Sequence, residues 1–240
     1  VLILSALGVE VGVTGQNYLR DDLNQSSFYR LMKLVRTILI VVLSCELAGA
    51  ALLSVPFMSR HGFWQGLWEA VFHSISAFNN AGFALFSDNL VSFNQDIFII
   101  GPIAAAIVAG GLGFPVFYEL YPRWRSPSKW TVHSKVTILG YFALLLVGGG
   151  GFAAAEWDNP DTIGPMSLWG KTINALLCGV TPRTAGFNSI DYGHATQETL
   201  ALNDGLMFIG GGSAGTAGGI KVGTFVLLAF VIRSETRGQQ

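Results

Sequence analysis

Long runs of apolar residues constrain the fold of this chain more than any other feature of its sequence. They cover residues 34–57, 97–120, 136–155 and about 200–232. A helix needs roughly 20 mostly apolar residues to cross a bilayer, so each run is long enough for a transmembrane span. The sequence therefore predicts an all-α membrane protein with about four full transmembrane helices, embedded in the lipid bilayer as a multi-pass protein.

Composition and charge exclude several other classes of protein. Only 12% of the 240 residues are charged, whereas soluble domains average about 25%. A net charge of −1 provides no basic surface for a nucleic acid, so we expect no nucleic-acid partner. The two cysteines lie in apolar runs and the four histidines are far apart in sequence. We therefore expect neither a disulfide framework nor a transition-metal site.

Two shorter apolar segments, residues 63–78 and 166–179, are too short and too polar to span a membrane. Each predicts an amphipathic helix that enters the bilayer partway, and each is followed by a turn containing Ala-Gly-Phe. The turn residues are Asn80, Ala81, Gly82 and Phe83 in the first, and Thr184, Ala185, Gly186 and Phe187 in the second. The chain thus contains an internal repeat: a span, a short helix, a glycine turn and a glycine-interrupted span.

This repeat predicts the domain organisation and the orientation in the membrane. Residues 1–30 would be the cytoplasmic end of a preceding repeat with a linker, 31–122 a complete repeat, 123–135 a cytoplasmic linker, and 136–240 a second repeat with a broken last helix. Most of the 14 Lys and Arg precede the first span, lie between the repeats or follow the last span. Because Lys and Arg concentrate on the cytoplasmic side, both glycine turns are expected to face outward.

The two glycine turns have the residue types that a carbonyl-lined ion filter requires. Irregular backbone at bilayer depth is tolerated only where it is buried in protein or lines a watery path. Glycine can adopt a positive φ without a Cβ clash, which lets successive carbonyls face one side and replace the hydration shell of an alkali cation. The side chains near the turns are mostly neutral, so K⁺, or else Na⁺, would be held by backbone carbonyls. The alternative is that both are ordinary packing turns.

A glycine-rich run interrupts the last apolar stretch. Its candidate residues are Gly210, Gly211, Gly212, Ser213, Gly215, Thr216, Gly218, Gly219 and Lys221. The run formally contains the dinucleotide pattern G-x-G-x-x-G, but it lies in a membrane-length stretch without a strand–helix–strand context. We predict instead a helix broken into a flexible loop near the middle of the membrane. Lys221 is a functional candidate there, or alternatively a lysine that snorkels to the cytoplasm or pairs with an acid.

Other charged residues near the predicted spans are assigned structural roles. Arg183, inside the second turn, is expected to point away from the ion path and pair with an acid such as Asp191. Glu46 and Glu69 are expected to be helix acids with satisfied hydrogen bonds rather than residues of the ion path.

The segments 73–83, 181–188 and 208–221 together resemble the Trk/Ktr/HKT superfamily of potassium transporters, and the Ktr-type membrane subunit is the most similar. In that family, four repeats of span, pore helix and span surround one pore, and each contributes a filter strand. The resemblance implies that 80–83 and 184–187 are filter segments and that 210–221 is an intramembrane gate. It also implies potassium uptake across the plasma membrane, and no enzymatic activity.

The same resemblance implies partners and a larger assembly. Two repeats cannot enclose a filter, so we expect the chain to be a fragment of a longer subunit that carries the other repeats. Family members associate with a cytosolic nucleotide-binding regulatory ring of the RCK type, and Ktr-type subunits pair as homodimers. Two alternatives remain open, namely a different secondary transporter with a substrate site between half-helices and a structural membrane protein.

Overall fold

A computed structural model of the chain describes residues 25–237. The predicted cytoplasmic segment 1–30 therefore lies mostly outside the described residues. The chain divides into two compact units, Val1–Ser44 and Cys45–Gln240, with the boundary inside the first described helix. The described part of the first unit is helical, and Thr37 Oγ1 donates to the carbonyl of Lys33 there at 2.8 Å. All interactions described below lie within the second unit.

The described residues fold into α-helices joined by loops and short 3₁₀ turns. In chain order the helices are α1 Gln25–His61, α2 Phe63–Phe78, α3 Ile97–Leu112, α4 Phe114–Arg123, α5 Val132–Glu156, α6 Leu168–Val180, α7 Gln197–Met207 and α8 Val222–Thr236. The 3₁₀ turns are Val91–Phe93, Pro127–Lys129 and Tyr192–His194. The predicted all-α membrane fold is confirmed over this part of the chain.

Two of the described helices are long and apolar enough to cross a membrane singly, Val35–His61 within α1 and Val132–Glu156, which is α5. They correspond to the first and third apolar runs of the sequence. Because spans need about 20 apolar residues, α2 and α6, with 16 and 13 residues, are too short. They are the short helices that the sequence predicts before each glycine turn.

The apolar run at 97–120 differs from the expected single span. It forms α3 and α4, which are bent by 98° relative to each other. The bend lies at Gly113, whose φ of +91° strongly favours glycine. A Cβ at this position would collide with the carbonyl oxygen of Ser213, so the glycine-rich run packs against the bend between α3 and α4. The last apolar run is likewise divided into α7 and α8 by residues 208–221.

Glycines allow each short helix to approach the long helix of its own segment. A Cβ on Gly66 of α2 would lie 2.5 Å from the backbone carbonyl carbon of Phe57 in α1. A Cβ on Gly179 of α6 would lie 2.8 Å from the backbone nitrogen of Gly149 in α5. Small residues at helix crossings let backbones approach closely and gain packing contacts in a membrane. The two short helices are therefore held against their long neighbours in a similar way.

Candidate functional site

The two glycine turns have matching backbone conformations. Asn80 and Gly82 have φ values of +51° and +72°, and Thr184 and Gly186 have +65° and +77°. Each left-handed pair is separated by one alanine that is not left-handed. Alternation of this kind can direct successive carbonyls toward one side of the chain. Left-handed backbone is unusual for residues other than glycine, so its presence at both Asn80 and Thr184 is a distinctive similarity between the two turns.

The structure brings the two turns into contact, although they lie far apart in sequence. A Cβ on Gly82 would be 2.5 Å from both the carbonyl oxygen of Ala185 and the Cα of Gly186. A Cβ on Gly186 would be 3.0 Å from the Cα of Gly82. Two features therefore require glycine at each of these positions, namely the positive φ and the close backbone of the facing turn.

Each turn follows directly from the C-terminal end of its short helix. The last carbonyls of a helix carry a partial negative charge, which favours a cation nearby. A hydroxyl from each junction anchors the far side of the turn: Ser76 Oγ donates to the carbonyl of Phe83 at 2.8 Å, and Thr181 Oγ1 to that of Phe187 at 2.7 Å. Ser76 and Thr181 are not among the residues predicted from the sequence, although each turn has a hydroxyl six or seven residues before its Phe.

The phenylalanines that end the turns have different surroundings. Phe187 is fully buried, whereas Phe83 is 69% exposed within the described residues. The ring centroid of His73 in α2 lies 6.5 Å from that of Phe187 and 4.9 Å from that of Phe86, in the loop after the first turn. The second turn is thus packed into an aromatic cluster, and the first turn is more open.

Backbone hydrogen bonds join the two ends of the glycine-rich loop, residues 208–221, to each other and join the loop to the end of α3. The backbone nitrogen of Gly210 donates to the carbonyl of Ile220 at 2.9 Å, which closes the loop. The nitrogens of Gly212 and Thr216 donate to the carbonyls of Gly111 and Gly110 at 2.7 and 3.1 Å. Those carbonyls belong to the last turn of α3 and lack helical partners, so the loop completes their hydrogen bonding.

Two side chains join this loop to the glycine turns. Asn80 Nδ2 donates to Thr216 Oγ1 at 2.6 Å, and the Thr216 hydroxyl donates to the carbonyl of Phe78 at 2.9 Å. In the second turn, Thr184 Oγ1 accepts from the backbone nitrogen of Gly218 at 2.7 Å. The structure therefore brings together the two sets of candidate residues that the sequence predicted separately, through the left-handed residue of each turn.

Three predictions about charged residues can be compared with the structure. Glu69 accepts from Gln65 Nε2 at 3.0 Å and lies 2.5 Å from His61 Nδ1, so it is satisfied as predicted. Glu46 is also satisfied, by Asn79 Nδ2 at 2.8 Å. Lys221 Nζ donates to the carbonyl of Ala217 at 2.6 Å, within its own loop.

The expected pairing of Arg183 with Asp191 is wrong. Asp191 is exposed, caps its own loop by accepting from the backbone nitrogen of Gly193 at 2.8 Å, and lies 3.8 Å from His194. The Arg183 side chain is fully buried, and its guanidinium lies over the ring of Tyr141. The local turn at 191–194 uses the carboxylate of Asp191, so it is not available to a buried partner.

A carboxylate also lies in the loop that follows the first turn. Asp88 accepts from the hydroxyl and, at 2.9 Å, from the backbone nitrogen of Ser92. The hydrogen bond from the Ser92 hydroxyl holds the pKa of Asp88 below its ordinary value. Asp88 and the exposed Asp191 therefore both contribute negative charge to the loops that follow the turns, which favours the approach of cations.

The fold and site together define an all-α membrane protein in which two short helices end in facing glycine turns, with a broken helix attached to both. The family model described as TrkH, cation transport protein, matches residues 13–240. The chain belongs to this family, which confirms the resemblance found in the sequence.

Curated relatives include two Ktr system potassium uptake proteins B. The protein of Bacillus subtilis (strain 168) is 35% identical over 240 residues, covering 100% of this chain and 54% of the relative. That of Vibrio alginolyticus is 38% identical over 227 residues, covering 94% and 50%. The potassium/sodium uptake protein NtpJ of Enterococcus hirae is 37% identical over 221 residues, covering 92% and 49%. The chain spans about half the length of these relatives.

A solved structure has the same fold. The potassium transporter TrkH from Vibrio parahaemolyticus superposes with a TM-score of 0.68 and 19% sequence identity, covering 88% of this chain and 44% of that chain. At this level of identity the likeness concerns the fold alone.

Proposed function

We propose that this chain contributes two strands of a potassium filter and an intramembrane gate to a potassium uptake system of the plasma membrane. The observation that carries the proposal is the mutual contact of Gly82 and Gly186, each left-handed and each in the turn that follows a short helix. The relatives named as potassium uptake proteins support it independently.

In this proposal residues 80–83 and 184–187 line the ion path with backbone carbonyls. Carbonyl oxygens are hard ligands that suit alkali cations, and a rigid ring of them can replace the water around K⁺. Sodium is the second candidate ion, because one relative is named as a potassium/sodium uptake protein. Repeats 31–122 and 136–240 would each supply one strand, and a filter that surrounds the ion needs further strands.

Residues 210–221 act as the gate in this proposal. The hydrogen bonds of the loop to the left-handed residues of both proposed filter strands support this role. A cytosolic nucleotide-binding ring of the RCK type would bias the loop through the basic segment 123–135, and the full subunits would pair as homodimers. The loop joins two helices, α7 and α8, which favours a gate over a dinucleotide site.

The decisive test replaces the paired glycines in the natural full-length protein. Gly82→Ser and Gly186→Ser should each reduce the ratio of K⁺ to Na⁺ uptake about tenfold, equivalent to about 1.4 kcal/mol. The reason is that a side chain at either position strains the backbone and collides with the facing strand. Uptake of both ions would be measured in cells that lack their own potassium uptake.

Gly62→Ser is the matched control. Gly62 also has a positive φ, +84°, but a Cβ there would meet no atom within 4 Å. Its substitution introduces backbone strain without blocking a facing strand, so the K⁺ to Na⁺ ratio should stay unchanged. Equal ratios in the wild type, Gly82→Ser and Gly186→Ser would overturn the filter assignment.

A further inference from the structure

Arg183 is a buried charge that the carbonyl filter and the glycine-rich gate leave unexplained. Its side chain is the largest fully buried one among the described residues, with 0% exposure. Burying a charge is costly unless a partner stabilises it, and a charge inside a membrane protein usually has a function. In the part of the chain that the structure describes, no carboxylate pairs with Arg183, and its guanidinium nitrogens have no hydrogen-bond partner.

The contact that stabilises this charge is aromatic. Arg183 Cζ lies 5.1 Å from the ring centroid of Tyr141, which is within the roughly 6 Å of a cation–π interaction. Tyr141 is itself fully buried in the middle of α5. The electrostatic attraction between a cation and a ring face is strongest where water is excluded, as it is here. The guanidinium is therefore held at a defined place on α5.

The position of Arg183 in the chain couples this contact to the filter. Arg183 directly precedes Thr184, the left-handed residue of the second turn, and its backbone nitrogen bonds to Val180 at the end of α6. Because Arg183 and Thr184 share a peptide bond, fixing the Arg183 side chain on α5 restrains the backbone at the start of the second turn. In the first turn, Asn79 directly precedes left-handed Asn80 and is anchored to Glu46 of α1. Each turn is thus attached, one residue before its left-handed start, to the long helix that precedes it.

We propose that Arg183 is a positioning residue that clamps the second filter strand to the face of Tyr141, and that this clamp contributes to the preference for K⁺. The proposal rests on the filter function proposed above. Arg183 acts through the backbone of residues 184–186 and does not touch the ion. Without the ring face, the buried charge would lose the aromatic contact that stabilises it, and the strand that carries it would be held less firmly.

The test separates the ring face, the hydroxyl and the charge in the natural full-length protein. Tyr141→Phe keeps the ring and removes a hydroxyl that has no partner within the described residues, so it should retain the wild-type ratio of K⁺ to Na⁺ uptake within about twofold. Tyr141→Leu removes the ring and should reduce the ratio about tenfold. Arg183→Met removes the charge and should also reduce it, whereas Arg183→Lys should recover part of the loss.

Trp157→Leu is the matched control, because Trp157 directly follows α5 and forms a cation–π contact with Lys171, Nζ to ring centroid 4.7 Å, that does not involve the turn. It should leave the ratio unchanged. A second measurement does not depend on transport. Bound ions raise the melting temperature of the purified protein, and the K⁺ and Na⁺ concentrations that give half of the maximal rise are compared. These two concentrations should become more similar in Tyr141→Leu and Arg183→Met than in the wild type.

The outcomes distinguish the clamp from the filter. Wild-type ratios in Tyr141→Leu and Arg183→Met would overturn the clamp while leaving the filter intact, provided that Gly186→Ser loses selectivity. A wild-type ratio in Gly186→Ser would instead remove the proposed function on which the clamp depends. If Tyr141→Leu and both Arg183 variants failed to fold while Tyr141→Phe folded, the pair would serve folding alone and the proposed role in selectivity would be wrong.

Discussion

Thr184 has a left-handed backbone although it is β-branched, a combination that is rare because the side chain clashes with the backbone. Two interactions hold it there: its hydroxyl accepts from Gly218, and the backbone nitrogen of Ala185 bonds to the carbonyl of Thr181 at 3.0 Å. Strained residues persist where surrounding structure determines them, and they cluster at functional sites. The conformation of Thr184 therefore depends on the glycine-rich loop as well as on its own turn.

Glu156 shows a different use of a buried polar residue. Its carboxylate, fully buried at the end of α5, accepts from Thr162 Oγ1 at 2.6 Å, Thr199 Oγ1 at 2.5 Å and both donors of Thr196 at 2.8 Å. Asn159 Nδ2 adds a further hydrogen bond at 2.7 Å. Both oxygens are therefore saturated, and one side chain joins α5 to α7 and to the loop between α5 and α6.

We expect Glu156→Gln to destabilise the protein by about 3 kcal/mol, since an amide nitrogen cannot accept hydrogen bonds and each unsatisfied buried donor costs about 1–3 kcal/mol. Thermal unfolding of the purified protein in detergent measures the loss. Glu198→Gln, at an exposed position in the first turn of α7, is the control and should leave the melting temperature unchanged. Equal melting temperatures for the two variants would contradict the role given to Glu156.

At the scale of elements, the end of α3 and the glycine-rich loop form one structural unit. The last carbonyls of α3 accept from Gly212 and Thr216, and the bend at Gly113 accommodates Ser213. Thr216 is central, because it also bonds to Asn80 and to the carbonyl of Phe78. Displacing the loop would break its bonds to α3 and to the first turn at once, so movement of the proposed gate would also change the position of the first turn.

Thr216→Val tests this connection, because valine has nearly the same shape and lacks the hydroxyl. If the side-chain bonds hold the loop in its closed position, their loss should raise basal K⁺ uptake several-fold, since a net hydrogen bond contributes about 1 kcal/mol. Thr172→Val is the control, because the hydroxyl of Thr172 donates within its own helix, α6, to the carbonyl of Leu168 at 2.8 Å. Unchanged uptake in Thr216→Val, measured at equal amounts of folded protein, would show that the loop is held by other means.

At the scale of the whole molecule, the segment between α4 and α5 is short and is held by hydrogen bonds to both helices. Glu119 of α4 accepts from the backbone nitrogen of Thr131 at 2.6 Å, from its hydroxyl at 2.7 Å and from the hydroxyl of Ser134. Trp130 Nε1 bonds to the carbonyl of Arg123 at 2.9 Å. The basic residues of this segment are thus presented on a compact turn, which suits the cytoplasmic position that the charge pattern predicts.

Cysteine labelling measures this orientation. A cysteine replacing Ser128, which is exposed between α4 and α5, should resist an impermeant thiol reagent applied to intact cells and react after the cells are opened. A cysteine replacing Asp158, exposed after α5, should react in intact cells, because α5 is long enough to place it on the other side of the membrane. The reverse labelling pattern would invert the topology, and with it the outward position of the glycine turns.

Sequence alone determined the features that depend on local chemistry. Apolar runs predicted α1 and α5 as spans because only a helix satisfies its own backbone in a bilayer. The two short helices followed from the length of their segments, and the turns followed from Gly82 and Gly186. Both glycines have a positive φ in the structure. The break between α7 and α8 followed from the density of glycine in 210–219.

The tertiary structure decided the features that depend on which segments meet. The contact between Gly82 and Gly186, the bonds from Thr216 to the first turn and the division of the second apolar run at Gly113 all join residues distant in sequence. Arg183 is the clearest case, because the sequence suggested a carboxylate partner and the fold supplied an aromatic ring from α5. Local preferences specify a backbone conformation, but the partner of a buried side chain is set by the packing of whole helices, to which each residue contributes only a small share.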